Sequence, residues 1–479
     1  MATQLYFSRD TKVYIEFAGK VWEVPVLDGF SFSQGNNSSE ITLSEMESSG
    51  GVSRRGKRAF NDSLAPGEWS ISTYVRPFKS AGNASATTGD ADGDANMVHA
   101  VEEVLWAMMA GADAYDTAKY DYENTTIIDQ ADLVQGETYE ITTAGTTNWT
   151  AIGAANGNVG TVFTRNSAAA TGSGGKVKRK VTAHTTAQNR VSFHASNSST
   201  LGTANIYFVL GDANRTVMKL KDAVVNEASI DFEIDGIATI AWSGQCSEVL
   251  DFSGSAHVDN TLPAHDDLTH DGSAMAVGDV WLDANDSHRL YVMTDVGNGS
   301  EAASPYALNE GILDTNAFIR NRLTTLTVDG TNTSGLLNSG YDLTLTGGNV
   351  TVSNNITFIT PEEIGLVNIP VGHVTGTRSV SGNFTCYLAV NSAARDGSGN
   401  TSRDLFEDLR ALTSTVTNSV ALTFSIGGAT GRRLEISCPT AHLEIPTHAI
   451  EDVISLETNF QALPETIDDT DEVSFTYKV

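Results

Sequence analysis

The chain has 479 residues with 29 lysines and arginines against 59 aspartates and glutamates, a formal charge of 29 − 59 = −30. That length exceeds one ordinary core and predicts two to four domains, while the acidity argues against a surface built to grip nucleic-acid phosphates. Gly is frequent at 43 and Pro rare at 10, and Val, Ile and Thr recur in alternation, which favours strands and tight turns over helices.

The opening stretch, MATQLYFSRDTKVYIEFAGK, has none of the apolar centre of a secretory signal. Next comes a basic run, Arg54, Arg55, Lys57 and Arg58, without an interleaved aromatic. In so acidic a protein it reads as a loop that meets a carboxylate-rich neighbouring subunit, because guanidinium forks suit carboxylates. Trp69 to Val75 alternates as a strand. Asp90, Asp92 and Asp94 have a calcium-like rhythm but lack the downstream Glu of a calcium loop, so they read as a solvated loop before a helix. That helix is MVHAVEEVLWAMMAG, with Val101, Leu105 and Met108 spaced for one buried face.

Residues 112–200 contain GETYEITTAGTTNWTAIGAANGNVGTVFT, a GSGG stretch and the basic KVKRK, and predict a small surface β module. Four strands follow from Ile206. In one of them Ile230, Phe232 and Ile234 alternate with Asp231, Glu233 and Asp235, giving one apolar and one acidic side. The acidic side is a wet sheet face, and a candidate wall of a channel. Residues 251–313 hold His257, His265, His270 and His288 in a polar linker, then a hairpin turning at Asn285 and Asp286. The histidine spacing matches no familiar ligand set, so no metal or cofactor is expected. In the second half come a strand from Asn383, a helix with Leu405, Leu409 and Leu412, and further strands carrying His442 and His448 towards solvent or a neighbour.

The two halves repeat. At a constant offset of 216, Phe208 matches Phe424, Gly211 matches Gly427 and Leu220 matches Ile436, while the helices match at 304 and Tyr74 has a counterpart in Tyr387. The first half therefore holds 304 − 216 = 88 extra residues between helix and strand. The fold expected is mainly β: two tandem β-sandwich or barrel domains, each with a flanking helix, plus small β insertions. The limits are 1–111 with 201–250 for the first domain, 112–200 for the insert, 251–313 for the linker and hairpin, and 314–479 for the second domain.

No nucleophile elbow, phosphate loop, dinucleotide fingerprint or zinc-protease motif occurs. Cys246, Cys386 and Cys438 are odd in number and unpaired in spacing, as befits thiols of a reducing cytosol. No apolar run is long enough to span a bilayer. A metal-dependent hydrolase built on His265 and His270, a secreted β-rich adhesin, and a decoration, baseplate or fibre component are the rival readings.

VWEVPVLDGFSFSQGNNSSEITLSEME with SRRGKRAFNDSLAPGEWSISTYVRP, then NAFIRNRLTTLTV and the final VSFTYKV, resemble tail tube proteins of long-tailed phages. The N-terminal block is the most specific, and with the insert the likeness covers about half the chain. It implies a non-enzymatic virion protein, made in the bacterial cytoplasm, whose β-sheets surround a lumen in stacked rings. Its partners would be further copies of itself, other tail proteins at the tube ends and phage DNA as a passenger. Carrying two units, the chain resembles the sheathless subset whose rings are pseudo-sixfold trimers.

Overall fold

The protein is seen in a computed structural model that describes residues 8–42, 57–80, 96–111, 114–116, 121–193, 201–211, 215–304, 318–330, 340–341, 343–364, 367–389, 400–411, 419–450, 453–464 and 471–479. The alternating segments of the first half become β1 (Lys12–Phe17), β2 (Ser31–Ser33), β3 (Gly67–Tyr74), helix α1 (Glu103–Ala110), β4 (Ala204–Leu210), β5 (Thr216–Glu233), β6 (Thr239–Cys246) and β7 (Glu248–Asp251). The second half contributes β8 (Thr325–Asp329), β9 (Leu345–Ser353), β10 (Ser379–Tyr387), helix α2 (Ser402–Ala411), β11 (Val420–Ile426), β12 (Arg433–Leu443), β13 (Thr447–Ile450), β14 (Ile454–Ala462) and β15 (Ser474–Lys478). The mainly β fold class read from the sequence holds.

Both halves connect these strands in one antiparallel scheme. In the first, β1 pairs with β4, β4 with β5, β5 with β6 and β7, β6 with β3, and β3 with β2. In the second, β8 pairs with β11, β11 with β12, β12 and β13 with β14, β12 with β15, β14 with β10, and β10 with β9. Two registers coincide. Ile15 opposes Ile206 as Val328 opposes Leu422, with 328 − 15 = 313 and 422 − 206 = 216. Tyr74 opposes Thr239 as Tyr387 opposes Ser455, again 387 − 74 = 313 and 455 − 239 = 216. The first half thus carries 313 − 216 = 97 more residues than the second between these matched strands.

The long strands β5 and β12 turn each half into a two-layer sandwich, since each pairs with one layer at its start and with the other at its end. A register slip at Val225 to Glu227 and a left-handed Asp222 (φ 50°) bend β5 between the layers. One apolar core runs through both halves. At its centre lies α1, all of whose residues are buried, so it lacks the single buried face expected, and Val101 precedes it rather than joining it. Trp106 explains why. It stacks on Phe475 of the second half at 4.1 Å, meets Trp242 of the first edge-on at 4.7 Å, and donates its Nε1–H to Tyr477 Oη at 2.7 Å. By contrast α2 buries Ser402, Leu405 and Leu409, whereas Leu412 falls outside the described residues. Ala100 N donates to Glu103 and Thr401 N donates to Asp404, but only Thr401 is the residue just before its helix; Glu102, just before α1, makes no side-chain cap hydrogen bond.

The insert forms a five-stranded sheet from Ala114–Asp116 to Lys176–Lys180, with its own core around Tyr139, Ile141, Trp149 and Phe163. KVKRK is one of its strands. Arg179 and Lys180 are buried in it, paired with Glu137 at 2.6 Å and Glu123 at 2.6 Å. Residues 182–192, expected inside the insert, belong to the main sheet instead: Gln188–Ser192 pairs with β15 and Thr182–His184 pairs with Gln188–Ser192. These short polar strands close an edge of the second half that would otherwise be open. Residues 253–304 carry the expected hairpin, Val280–Asp283 with Arg289–Asp295, and pack Val280, Leu282, Leu290 and Val292 onto the outer face of the first half, against Tyr14, Tyr207 and Val209.

Candidate assembly surfaces

The chemistry of the chain concentrates on one sheet that crosses from half to half. The end of β5 pairs with β6 on one side and with β9 on the other, Asp231 opposing Thr239 and Asn349. This joins β2, β3, β6 and β5 to β9, β10, β14 and the end of β12 with β13, an eight-stranded surface. One side of it supplies Trp69, Trp242, Ile230, Phe232, Val350, Phe384 and Phe460 to the core. The pleat turns the alternate residues outward.

Those outward residues run in rows across both halves. One row is Ser72, Ala241, Ser229, Thr351, Ser381, Gln461 and His442; the next is Tyr74, Thr239, Asp231, Asn349, Asn383 and Asn459. A third holds Glu233, Gly347, Thr385, Glu457 and Thr447. Among the described residues, β2, β3, β6, β9, β10, β13, β14 and the stretch of β5 from Val224 contain no lysine or arginine at all. The cations sit on the other layer: Lys12, Lys219 and Lys221 in the first half, Arg433 and Lys478 in the second, the last two both held to Glu435. The polar face is hollowed, with a cleft of about 600 Å³ at Asp231, Gly347 and Asn383 and one of about 610 Å³ at Thr351, Ser381 and Gln461.

Of the acidic residues singled out from the alternation, Asp231 and Glu233 are exposed on this face, and burial followed by the charge of Glu233 raises the Asp231 pKa. Asp235 does not share the row. The strand ends at Glu233, so Asp235 lies in the turn, 3.7 Å from Arg322, and Ile234 is exposed rather than buried. Arg54 and Arg55 fall outside the described residues. Lys57 and Arg58 begin the second strand of an exposed hairpin, Asn36–Thr42 with Lys57–Leu64, where Lys57 pairs with Glu40 at 2.9 Å. A shorter hairpin, Thr357–Ile359 with Gly372–Val374, occupies the same place between β9 and β10. Asp90, Asp92 and Asp94 are also outside the described residues. Of the linker histidines, His265 lies 3.6 Å from Glu301, and His257 accompanies Asp259 and Asp267. Sequence reasoning missed the amide and hydroxyl rows. Their signal was available as strands that lack lysine and arginine altogether, but only strand pairing shows that they form one surface.

Two edges of this surface carry no further strand among the described residues: β2, and the run from His442 at the end of β12 through β13. Near the latter Ile445, Ile450 and Val453 are exposed. No described helix is long and apolar enough to cross a membrane.

No family model matches the chain. Over 454 residues it is 24% identical to the tail tube protein pb6 of Escherichia phage T5, a match that takes in 94% of this chain and 69% of that protein. The likeness therefore extends through both halves and is not confined to one shared module. On that breadth, and on the doubled β-rich architecture that accompanies it, the chain is similar to the tail tube proteins of long-tailed phages, a likeness that supports a structural subunit of the tube.

Proposed function

We propose that three copies close into a ring whose inner wall is the cation-free face, and that rings stack into a hollow conduit for the genome within the virion. The observation that supports this is the junction inside the chain, which serves as a template for the junction between chains. Ser31 opposes Ser70 as Asn349 opposes Asn383, and 383 − 70 = 313, so β2 takes the place of β9. Ala449 opposes Ser455 as Asp231 opposes Thr239, and 455 − 239 = 216, so β13 takes the place of the end of β5. The internal pairs Asp231 with Asn349 and Ser229 with Thr351 then become Ala449 with Ser31, and Thr447 with Ser33, of the next copy.

Closing the ring this way satisfies both open edges and covers the apolar residues beside β13. Three chains give roughly 24 strands around the lumen, more than the about 16 to 18 that already leave an aqueous channel. A wall of hydroxyls, amides and carboxylates without cations lets a polyanion pass without sticking. Asp231 and Glu233 would face that lumen, with Asp235 at its rim. The basic run Arg54, Arg55, Lys57 and Arg58 would meet a neighbouring subunit, because the lone two-stranded hairpin whose second strand opens with Lys57 and Arg58 is marginal in water until something covers it. Other tail proteins would cap the tube ends. Residues 8–111 with 201–251 form one tube unit and 318–479 the other, with 182–192 completing its edge. The activity is assembly and passive conduction, without turnover.

The test is electron microscopy of the assembled protein, joined to a cysteine pair. Ser33→Cys with Thr447→Cys should oxidise into a covalent ladder that stops at three chains, in rings of threefold symmetry. The native thiols do not interfere, since burial pushes Cys246, Cys386 and Cys438 up to about 12. Sixfold rings of whole chains, or tubes in which this pair stays reduced, defeat the proposal.

A further inference from the structure

A second cluster lies where Thr182–His184 and Gln188–Ser192 meet the start of α1. His99 comes from the strand before the helix, Glu103 from its first turn, His184 from Thr182–His184 and Asn189 from Gln188–Ser192. All four side chains are buried. His99 Nδ1 and His184 Nε2 each lie 3.1 Å from the same oxygen, Glu103 Oε2, and their rings stack with centroids 4.0 Å apart. Asn189 Nδ2 reaches that oxygen at 3.2 Å, while its own Oδ1 is buried without a hydrogen-bond partner.

This set differs from an ordinary buried hydrogen-bond cluster in two ways. The donor atoms of three residues converge within 4.8 Å of one another. A tetrahedral zinc with bonds of about 2.0–2.1 Å needs its ligand atoms about 3.3–3.4 Å apart, so the two imidazole–carboxylate distances of 3.1 Å would each have to open by only a few tenths of an ångström. The charge also calls for a cation. Glu102 and Glu103 are adjacent and buried, and the guanidinium beside Glu102 is that of Arg76, whereas the positive influences on Glu103 come from the two imidazoles. Imidazoles that turn neutral to bind a metal hand the compensation of the Glu103 charge to the ion. Turning the Asn189 amide about its last bond would exchange its nitrogen for the unpartnered oxygen as a fourth donor.

We propose that His99, Glu103 and His184, completed by Asn189, bind one divalent transition-metal ion, zinc by its donor set, which fastens the strands leaving the insert to α1. Because Gln188–Ser192 also pairs with β15, the ion would tie α1 of the first half to the edge of the second half at one point. The ligands 85 residues apart, 184 − 99, match no local metal motif, which is why spacing alone misses them.

The whole chain, unfolded with a chelator and refolded with Zn²⁺ or Co²⁺, supplies the test. One zinc per chain should survive gel filtration, and the cobalt form should show the visible absorption of a tetrahedral site. His184→Ala and Glu103→Gln should each lose the bound ion, Asn189→Ala should weaken it at least about tenfold, and His257→Ala, in the other histidine cluster, should keep it. Refolded wild type without metal overturns the proposal without need of any variant. So does metal retained by His184→Ala, or lost by His257→Ala.

Discussion

The outer faces of the two halves are built on the same strands and have opposite chemistry. Tyr14, Tyr207, Val209 and Val217 of the first half lie under the sheet of residues 253–304. Their counterparts, at offsets of 313 for the first and 216 for the rest, are Thr327, Thr423, Ser425 and Arg433, all at least partly open. A strand covered on both faces reads as a continuous apolar run, as IYFVL does in β4, whereas a strand with one wet face alternates, as VALTFSI does in β11. The repeated backbone thus tolerates either surface, and side chains at matched positions record which half carries a cover. The same contrast holds at the edges: the end of β5 is sealed by β9, while its counterpart β13 is open.

The largest effect is expected at that open edge. Ser33 and Thr447 are exposed in the chain, so lysines at both positions should leave the melting temperature of the monomer unchanged. Placed opposite each other at every junction of the ring, they would repel and abolish tubes under the microscope. Ser33→Lys with Thr447→Glu should restore them. Tubes formed equally well by the double lysine variant would break the parallel between the inner and outer junctions.

The two helices sharpen the comparison next. Trp106→Ala empties the point where α1 touches both halves and should cost about 3–5 kcal/mol in denaturant unfolding. Phe406 on α2 is half-buried and meets His448 edge-on, and its replacement by Ala should cost about 1 kcal/mol. Equal losses would mean that α1 has no special place between the halves. On the outer faces, Leu290→Ala under the cover should cost about 2–5 kcal/mol, while Thr327→Val at the uncovered site should stay within about 0.5 kcal/mol.

Much of this was legible in advance because it rests on local pattern. The period-two strands, the match of Tyr74 with Tyr387 and the hairpin at Asn285 all depend on residues close in sequence. What stayed hidden depends on pairing between distant segments. Residues 182–192 look like the end of the insert because nothing local says that β15, almost 300 residues on, needs an edge partner. Asp235 fits the alternation of its strand, yet the chain turns after Glu233. The full burial of α1 could not be read from Leu105 and Met108, since the second half supplies the surface that covers Trp106.

The smallest effect separates the helix starts by pH. At the cap of α2 the carboxylate is half-buried, with the buried Thr401 donating its Oγ1–H to Asp404 at 2.9 Å. The start of α1 buries two carboxylates whose shifts oppose each other. Burial raises Glu102 from 4.5 to about 7, against the hydrogen bonds from the Arg76 backbone and Tyr477. Burial works against Glu103 as well, yet the two imidazoles and their hydrogen bonds hold it down at about 2. A raised carboxyl contributes stability that is full below 4.5 and fades as pH climbs through 7; a lowered one contributes above 4.5 and fades as pH falls through 2. Ionising Glu102 in place therefore costs at most about 3 kcal/mol. Glu102→Gln keeps an acceptor for Arg76 N and removes the charge, so it should raise the melting temperature at pH 8, change it little at pH 4.5 and flatten the decline between. Asp404→Asn on α2 should produce no such change of slope. A decline between pH 4.5 and 7 that persists undiminished in Glu102→Gln would assign it to another group and remove the distinction drawn between the two helix starts.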